Sequence, residues 1–349
     1  MNYEDIRIKF YDALKKAKES AKLGYCFYCN KEVTGFCLSH TVPKFVLKNI
    51  ARKGKIYNTF HYGIFEEMKV IDGESGIKNT GIFKLICREC DSKVFQDYEN
   101  IENIISKPTN KMMAEIGIKN VLNLIYEERY CNKFYEQMVS IASGDRLLLD
   151  NAKKYKYIKE TNIRDLKMYL KRFKTIKEND LKSGSKLIFW YKCNYIVPIA
   201  FQGAICLYGD LNGRIINNIL DKDAYMQYIH ICIFPLENES VIMLFRHKDD
   251  TKYKKFENQF NKLSLAEQLR LISFIVIEYS EHFYISKGAS EEVLKSKSIN
   301  ESTLHNTSIL KSNKGQAEYL FNSNRHQLKD FINFPNLLSE EYKIEKEDK

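Results

Sequence analysis

The chain has 349 residues, 44% hydrophobic and 13% aromatic, with a formal net charge of +10. That apolar content excludes a disordered polymer, and no stretch approaches the roughly 20 apolar residues of a membrane helix. The first residues, MNYEDIRIKF, hold acidic side chains and no apolar signal core, so the expectation is a cytoplasmic chain of two or three domains with no membrane partner.

Residues 3–22 read as an amphipathic helix, with Ile6, Phe10, Leu14 and Ala17 at helical spacing and Gly24 as its stop. A cysteine-bearing stretch follows. Its middle, 51–80, carries turn signals at Asp72-Gly73 and Ser75-Gly76 and reads as hairpins. Residues 93–142 read as helical, broken at Pro108. Residues 161–178 form a basic helix with Ile163, Leu166, Leu170 and Phe173 on one face. Two or three apolar strands are expected in 186–209 and a hairpin from 228–236 and 240–248. A helix at 265–283 begins with a capping box of Ser264 and Glu267. Residues 286–317 read as a loop, followed by a short helix near 316–332 and a charged tail. The fold class is therefore α+β, with a cysteine module and its leading helix at 1–105 and a helical, basic connection at 106–182. A mixed α/β domain with antiparallel strands fills 183–285, and a linker, short helix and tail fill 286–349.

Nine cysteines in a chain read as cytoplasmic argue against a disulfide framework. Cys26 and Cys29, and Cys87 and Cys90, are two CxxC pairs separated by 57 residues. Each pair places two thiolates on one knuckle, and two knuckles supply the tetrahedral sulfur set of a structural Zn²⁺. Chance spacing of reduced core cysteines is the competing reading. A thioredoxin-like redox motif would need only one pair.

Between the pairs stands Ser39-His40-Thr41-Val42-Pro43, with His40 eleven residues after Cys29, and directly after the second pair stands Asp91. With CFYC before and LICREC after, this pattern resembles the HNH endonuclease family, the ββα-metal fold with a treble-clef zinc site. It is closest to a bacterial subgroup with Ser-His-x-x-Pro early and a Phe and a Glu late, matched here by Phe95 and Glu99. The resemblance covers about 75 of the residues. It implies a metal-dependent endonuclease acting on DNA or RNA, in which His40 is the general base and Asp91 helps to hold a catalytic Mg²⁺ or Mn²⁺, separate from the zinc. The family usually carries Asp before its His; here the residue is Ser39, a weaker ligand, so either Asp91 with Glu99 or another carboxylate compensates, or the site is attenuated or dead. Asn79 is near the place of the family's middle Asn, but its distance from Cys87 is long.

The bland readings stand beside these. His40 can brace the module by hydrogen bonds, Asp91 can cap the helix after the second knuckle, and Glu99 can be a solvated helix residue. Cys37 as a fifth ligand and His61 as a site residue are weaker candidates. Residues 151–192 carry 13 Lys and Arg against 4 Asp and Glu, and Lys167, Lys171, Arg172 and Lys174 are candidates for contacting a nucleic-acid backbone, DNA in the first instance. An ordinary solvated helix face is the alternative, and a Lys-, Asn- and Ile-rich composition raises the net charge without any partner. Tyr155, Tyr157, Tyr169 and Phe173 can stack bases or serve as core. His230, His247 and His282 read as structural. Residues 183–285 hold no P-loop and no GxGxxG, and fit a ligand sensor, a protein partner or homo-oligomer contacts. By analogy alone, a nuclease-like module fused to such a domain suggests anti-phage defence. The competing functions are a non-catalytic zinc module that binds nucleic acid and a zinc-stabilised interaction or regulatory protein.

Overall fold

The structure is a computed structural model and describes residues 3–59, 70–141, 146–218, 224–280, 282–300 and 327–345. Helix α1 (Tyr3–Ser20) buries Phe10, Ala13 and Ala17 in a small cluster with Phe134. After it come strand β1 (Ser39–His40), helix α2 (Lys44–Ile50), strands β2 (Lys55–Asn58), β3 (Glu74–Gly76) and β4 (Ile82–Phe83), and helices α3 (Arg88–Val94) and α4 (Ile101–Ile104).

Two long helices follow. Helix α5 (Asn110–Ile141) starts two residues after Pro108, where the missing N–H costs nothing. Thr109 Oγ1 accepts from the Met112 N–H and closes its first turn. Helix α6 (Arg146–Glu178) runs back antiparallel along it. The expected basic helix at 161–178 is thus the second half of a longer element, whose first half holds Tyr155 against Tyr135 with ring centroids 5.2 Å apart. Gly117 lets the two helices close: a Cβ there would lie 2.6 Å from the Phe173 ring.

Strands β5 (Ser185–Cys193), β6 (Ile199–Ile205), β7 (Ile229–Pro235) and β8 (Ser240–His247) realise the expected two strands and hairpin. Helices α7 (Lys254–Phe260) and α8 (Leu265–Tyr279) follow, α8 opened by the capping box of Ser264 and Glu267. Strand β9 (Tyr284–Ile285) and helix α9 (Glu291–Leu294) come next, and Leu328–Asn333 is a 3-10 turn rather than an α-helix.

One antiparallel sheet collects most of the strands in the order β3-β2-β9-β6-β7-β8-β5. Every residue of β7 and β8 is buried, because both faces are covered. Cys232, Phe234, Met243 and Phe245 point into the core shared with α5 and α6, whereas Ile231, Ile233, Ile242 and Leu244 face α7 and α8. Period-2 alternation is present but hidden, since both alternating sets are apolar.

The segment between the cysteine pairs is tied into this sheet. Tyr57 of β2 pairs with Ile285 of β9, and Ile285 pairs with Ile199 of β6. Ser75-Gly76, expected as a turn, lies instead in the edge strand β3, paired with Ile56 and Lys55. The tight turn before β2 is made by Lys53 and Gly54, both at positive φ. Among the described residues no helix is long and apolar enough to cross a membrane.

Candidate metal centre and the polar site beside it

The first knuckle is built by backbone hydrogen bonds. Cys26 N donates to Lys31 O at 2.8 Å, and Asn30 N donates to Cys26 O at 2.8 Å, with Asn30 at φ 59° in the turn. The second pair sits at the N-terminus of α3: Cys87 is the N-cap and its Sγ accepts from Cys90 N–H at 3.4 Å. Cys26 Sγ accepts from Cys87 N–H at 3.3 Å, which joins the two knuckles.

The Sγ atoms of Cys26, Cys29, Cys87 and Cys90 all lie within 4.8 Å of one another. Tetrahedral zinc thiolates at 2.3 Å require sulfur separations of about 3.8 Å, so this cluster is positioned to bind a zinc ion. Burial, then hydrogen bonds that the Cys90 thiol donates to the Cys87 and Cys29 sulfurs, push the Cys90 thiol well above its ordinary value. Four thiolates cannot be gathered there without a cation to offset their charge, and a helix N-terminus adds favourable field. The donor set fits a structural metal such as zinc.

Beside the cluster, β1 and β4 pair through Ser39 opposite Phe83 and His40 opposite Ile82. Helix α3 delivers Asp91 to the same place. Ser39 Oγ donates to Asp91 Oδ1 at 2.6 Å and Cys37 Sγ donates to Asp91 Oδ2 at 3.2 Å. The helix cap is Cys87, so Asp91 does not have the capping role that the sequence allowed. Cys37 stands outside the sulfur cluster and binds the carboxylate instead. Burial and the bond to Asp91 push its thiol up to about 11.

His40 is half-buried and its Nε2 lies 3.1 Å from the Ile77 carbonyl. A carbonyl can only accept, so Nε2 carries the proton and Nδ1 of the neutral ring is left with a lone pair. Burial is the main force lowering the His40 pKa below its ordinary value. The Ile77 bond opposes it, and the positive charges of Lys119 and Lys44 add to it.

Glu99 does not stand free in solvent. Its Oε1 accepts from the Lys119 ammonium and from Tyr98 Oη at 3.2 Å. Lys119 comes from α5, is 2% exposed, and places its ammonium 4.3 Å above the Phe95 ring. From Tyr98 a chain of buried amides runs into the sheet. Gln202 Nε2 donates to Tyr98 Oη at 3.4 Å and Asn120 Oδ1 at 3.1 Å, and Asn120 Nδ2 reaches His230 Nδ1 at 3.1 Å.

The expected nucleic-acid residues divide. Lys167, Lys171 and Lys174 of α6 line one groove with Tyr25, Phe27 and Tyr28 of the first knuckle. Arg172 turns to another side, 3.8 Å from the buried Asp250 carboxylate and stacked over the Tyr169 and Tyr225 rings. Tyr169 and Phe173 are fully buried core residues. His230 is buried between rings, and His282 Nε2 meets Glu127 at 3.0 Å. His61 and residues 316–326 of the expected short helix lie outside the described residues.

Lys119 is the site residue that sequence reasoning missed. Its signal was faint: Glu115, Lys119 and Asn120 interrupt the apolar run from Met112 to Leu122, and all three are buried. A polar residue on an apolar helical face needs an internal partner. No protein-family model matches the chain, and no curated protein or solved structure is similar to it.

Proposed function

We propose that the chain is a metal-dependent nuclease that hydrolyses phosphodiester bonds of nucleic acid, with His40 as general base and the Cys26–Cys29–Cys87–Cys90 zinc as scaffold. The observation that carries this reading is the bond from His40 Nε2 to the Ile77 carbonyl, which leaves Nδ1 bare on a ring kept neutral by burial. A neutral imidazole with one fixed proton is prepared to accept another from water. The treble-clef ββα arrangement of β1, β4 and α3 is part of the same proposal.

In this reading Asp91, with Glu99, holds a Mg²⁺- or Mn²⁺-type ion. Bound there, such an ion would supply Lewis-acid stabilisation of charge on the phosphate and leaving oxygen. Ser39 replaces the acid that the resemblance calls for, and its hydroxyl orients the Asp91 carboxylate rather than supplying a charged ligand. Lys119 adds a fixed positive charge near His40 and on Glu99, able to stabilise negative charge developing on phosphate.

A second reading has its own observation. Both carboxylate oxygens of Asp91 are already engaged by Ser39 and Cys37, as in a structural staple of a non-catalytic zinc module that binds nucleic acid. Cleavage assays with Mg²⁺ or Mn²⁺ separate the two. His40→Ala is expected to reduce cleavage about 10²- to 10⁴-fold while zinc content and melting temperature stay near those of the wild type. Unchanged cleavage would remove His40 from the mechanism. Binding without cleavage by any form would favour the staple. Because burial lowers the His40 pKa from its ordinary value, the acid limb of the activity profile should lie at lower pH than that of an unperturbed histidine.

A further inference from the structure

The first zinc knuckle and helix α6 enclose a groove of about 460 Å³. Its composition is unlike an ordinary helix contact. Tyr25 and Phe27 lie with their rings nearly parallel, 20° apart, and Tyr28 presents a third ring. Facing them are Lys167, Lys171 and Lys174, on successive turns of one face of α6.

The rings and lysines hold each other in place. Tyr28 Oη donates to Glu178 Oε1 at 3.2 Å, and Lys174 donates to the Tyr28 carbonyl at 2.8 Å with its ammonium 4.3 Å over the Tyr28 ring. Lys167 lies 5.6 Å over the Phe27 ring. Among the described residues neither Lys167 nor Lys171 pairs with an acid, and Lys171 is exposed. The groove wall therefore carries three ammonium groups against the single carboxylate of Glu178. The zinc cluster supports this wall, since Cys26 and Cys29 lie between and beside the three rings in the chain.

We infer that this groove binds a nucleotide of a single-stranded nucleic acid, its unstacked base on the knuckle rings and its phosphates on Lys167 and Lys171. A duplex, about 20 Å across, does not enter a space of this size, and its bases have no free faces to offer. Aromatic rings beside a lysine track are the chemistry by which single strands are held without sequence preference. The inference deepens the proposed function, since it rests on nucleic acid being the ligand. It does not depend on His40 or on cleavage.

The test uses the full-length zinc-loaded chain without added Mg²⁺ or Mn²⁺. Fluorescence anisotropy is read with a labelled twelve-nucleotide single strand and with the same sequence as duplex, at several salt concentrations. The wild type should prefer the single strand. Lys167→Gln with Lys171→Gln should weaken binding at least tenfold and reduce the salt slope by about 1.4, at roughly 0.7 for each phosphate no longer neutralised. Tyr25→Leu should weaken binding about 5- to 100-fold. If Tyr25→Leu loses zinc, the exposed Lys171→Glu serves instead, with the same loss expected.

Equal affinity for duplex, or an unchanged salt slope in the double variant, would overturn the inference. Displacement by free mononucleotide at the strand's own affinity would overturn the strand as ligand. If the lysines leave binding untouched while His40→Ala abolishes cleavage, the groove fails and the hydrolytic reading stands. If binding follows the lysines but nothing cleaves, the groove stands and the hydrolytic reading fails.

Discussion

His40 and His230 sit in two regions that treat the same side chain differently. Both rings are desolvated, and both pKa values fall below the ordinary one, that of His230 to about 3. His40 lies in a two-stranded ladder at the edge of the zinc module, half-buried, with Nε2 tied to a carbonyl. His230 lies in a central strand with no exposed surface, stacked on Phe245 at 4.8 Å and held through Nδ1 by Asn120. Low proton affinity is therefore no mark of function by itself. The difference is access: one ring is only half-buried, within reach of the charges of Lys119, Lys44 and Glu99, and the other is packed as an aromatic.

The largest expected effect concerns what supports the His40 region. A four-sulfur zinc site contributes on the order of 10 kcal/mol of apparent free energy. Cys87→Ser removes a ligand but keeps a side chain able to cap α3, so the loss reports the metal site rather than the helix cap. Metal analysis should fall from about one zinc per chain to a small fraction, with loss of the module's protection in hydrogen exchange. Full zinc retention would refute the four-cysteine centre. The sheet strands β7 and β8, buried on both faces, should keep the greater part of their protection.

The histidine contrast is tested directly by paired substitutions. His40→Ala should cost activity about 10²- to 10⁴-fold and stability little. His230→Ala should do the reverse, lowering stability by about 3 kcal/mol, the scale of emptying a buried ring site. Denaturant unfolding beside cleavage rates gives both numbers. Equal behaviour of the two variants would break the distinction.

Lys119 lies between the two regions. It is buried against Phe95, and its loss leaves Glu99 without its cation. Lys119→Met keeps the packing and removes the charge. Breaking a buried pair by deleting one partner costs about 3–5 kcal/mol when both ends are dry. The Glu99 side chain is 33% exposed, so the lower half of that range or less is expected. If Lys119 also stabilises charge on phosphate, cleavage should fall with substrate binding kept. An unchanged rate would confine Lys119 to a structural role.

These expectations show where sequence carried information. The cysteines were legible because CxxC is a local geometric unit, and the capping box of Ser264 and Glu267 because its two bonds span three residues. The pairing of Tyr57 with Ile285 was not legible. It joins residues more than 200 apart through a strand of two residues, too short to show any period. Ser75 and Gly76 misled because turn-forming residues are tolerated at a sheet edge, where β3 lies. Ser39, His40 and Asp91 were singled out as candidates by their order along the chain, and the structure brings Ser39 and Asp91 into contact. Lys119 and Glu99 were separable only in space, since nothing local tells an exposed lysine of an amphipathic helix from a buried one that has a partner.

The smallest expected effect lies in the sheet region and concerns acids. Asp250 is fully buried, and burial raises its carboxyl to about 7 against the pull of Tyr169 and Arg172. Groups facing it include Tyr169, which donates to Oδ2, the Arg172 guanidinium at 3.8 Å, and Arg246. A folded-state value above the unfolded one means that the folded chain holds the proton more tightly. The contribution is fully present below about pH 4, where both states are protonated. It is lost as pH rises to about 7, where the unfolded chain ionises freely and the folded one does so at a cost. Asp250→Asn has no such proton to lose. Its melting temperature relative to the wild type should therefore climb by a few degrees between pH 5.5 and 8. Comparison at each pH cancels the titration of the zinc thiols, which both proteins share. A difference that stays flat across that range would mean that Arg172 and Tyr169 hold Asp250 ionised throughout, and the sheet region would then carry a permanent buried ion pair where a protonated acid is expected.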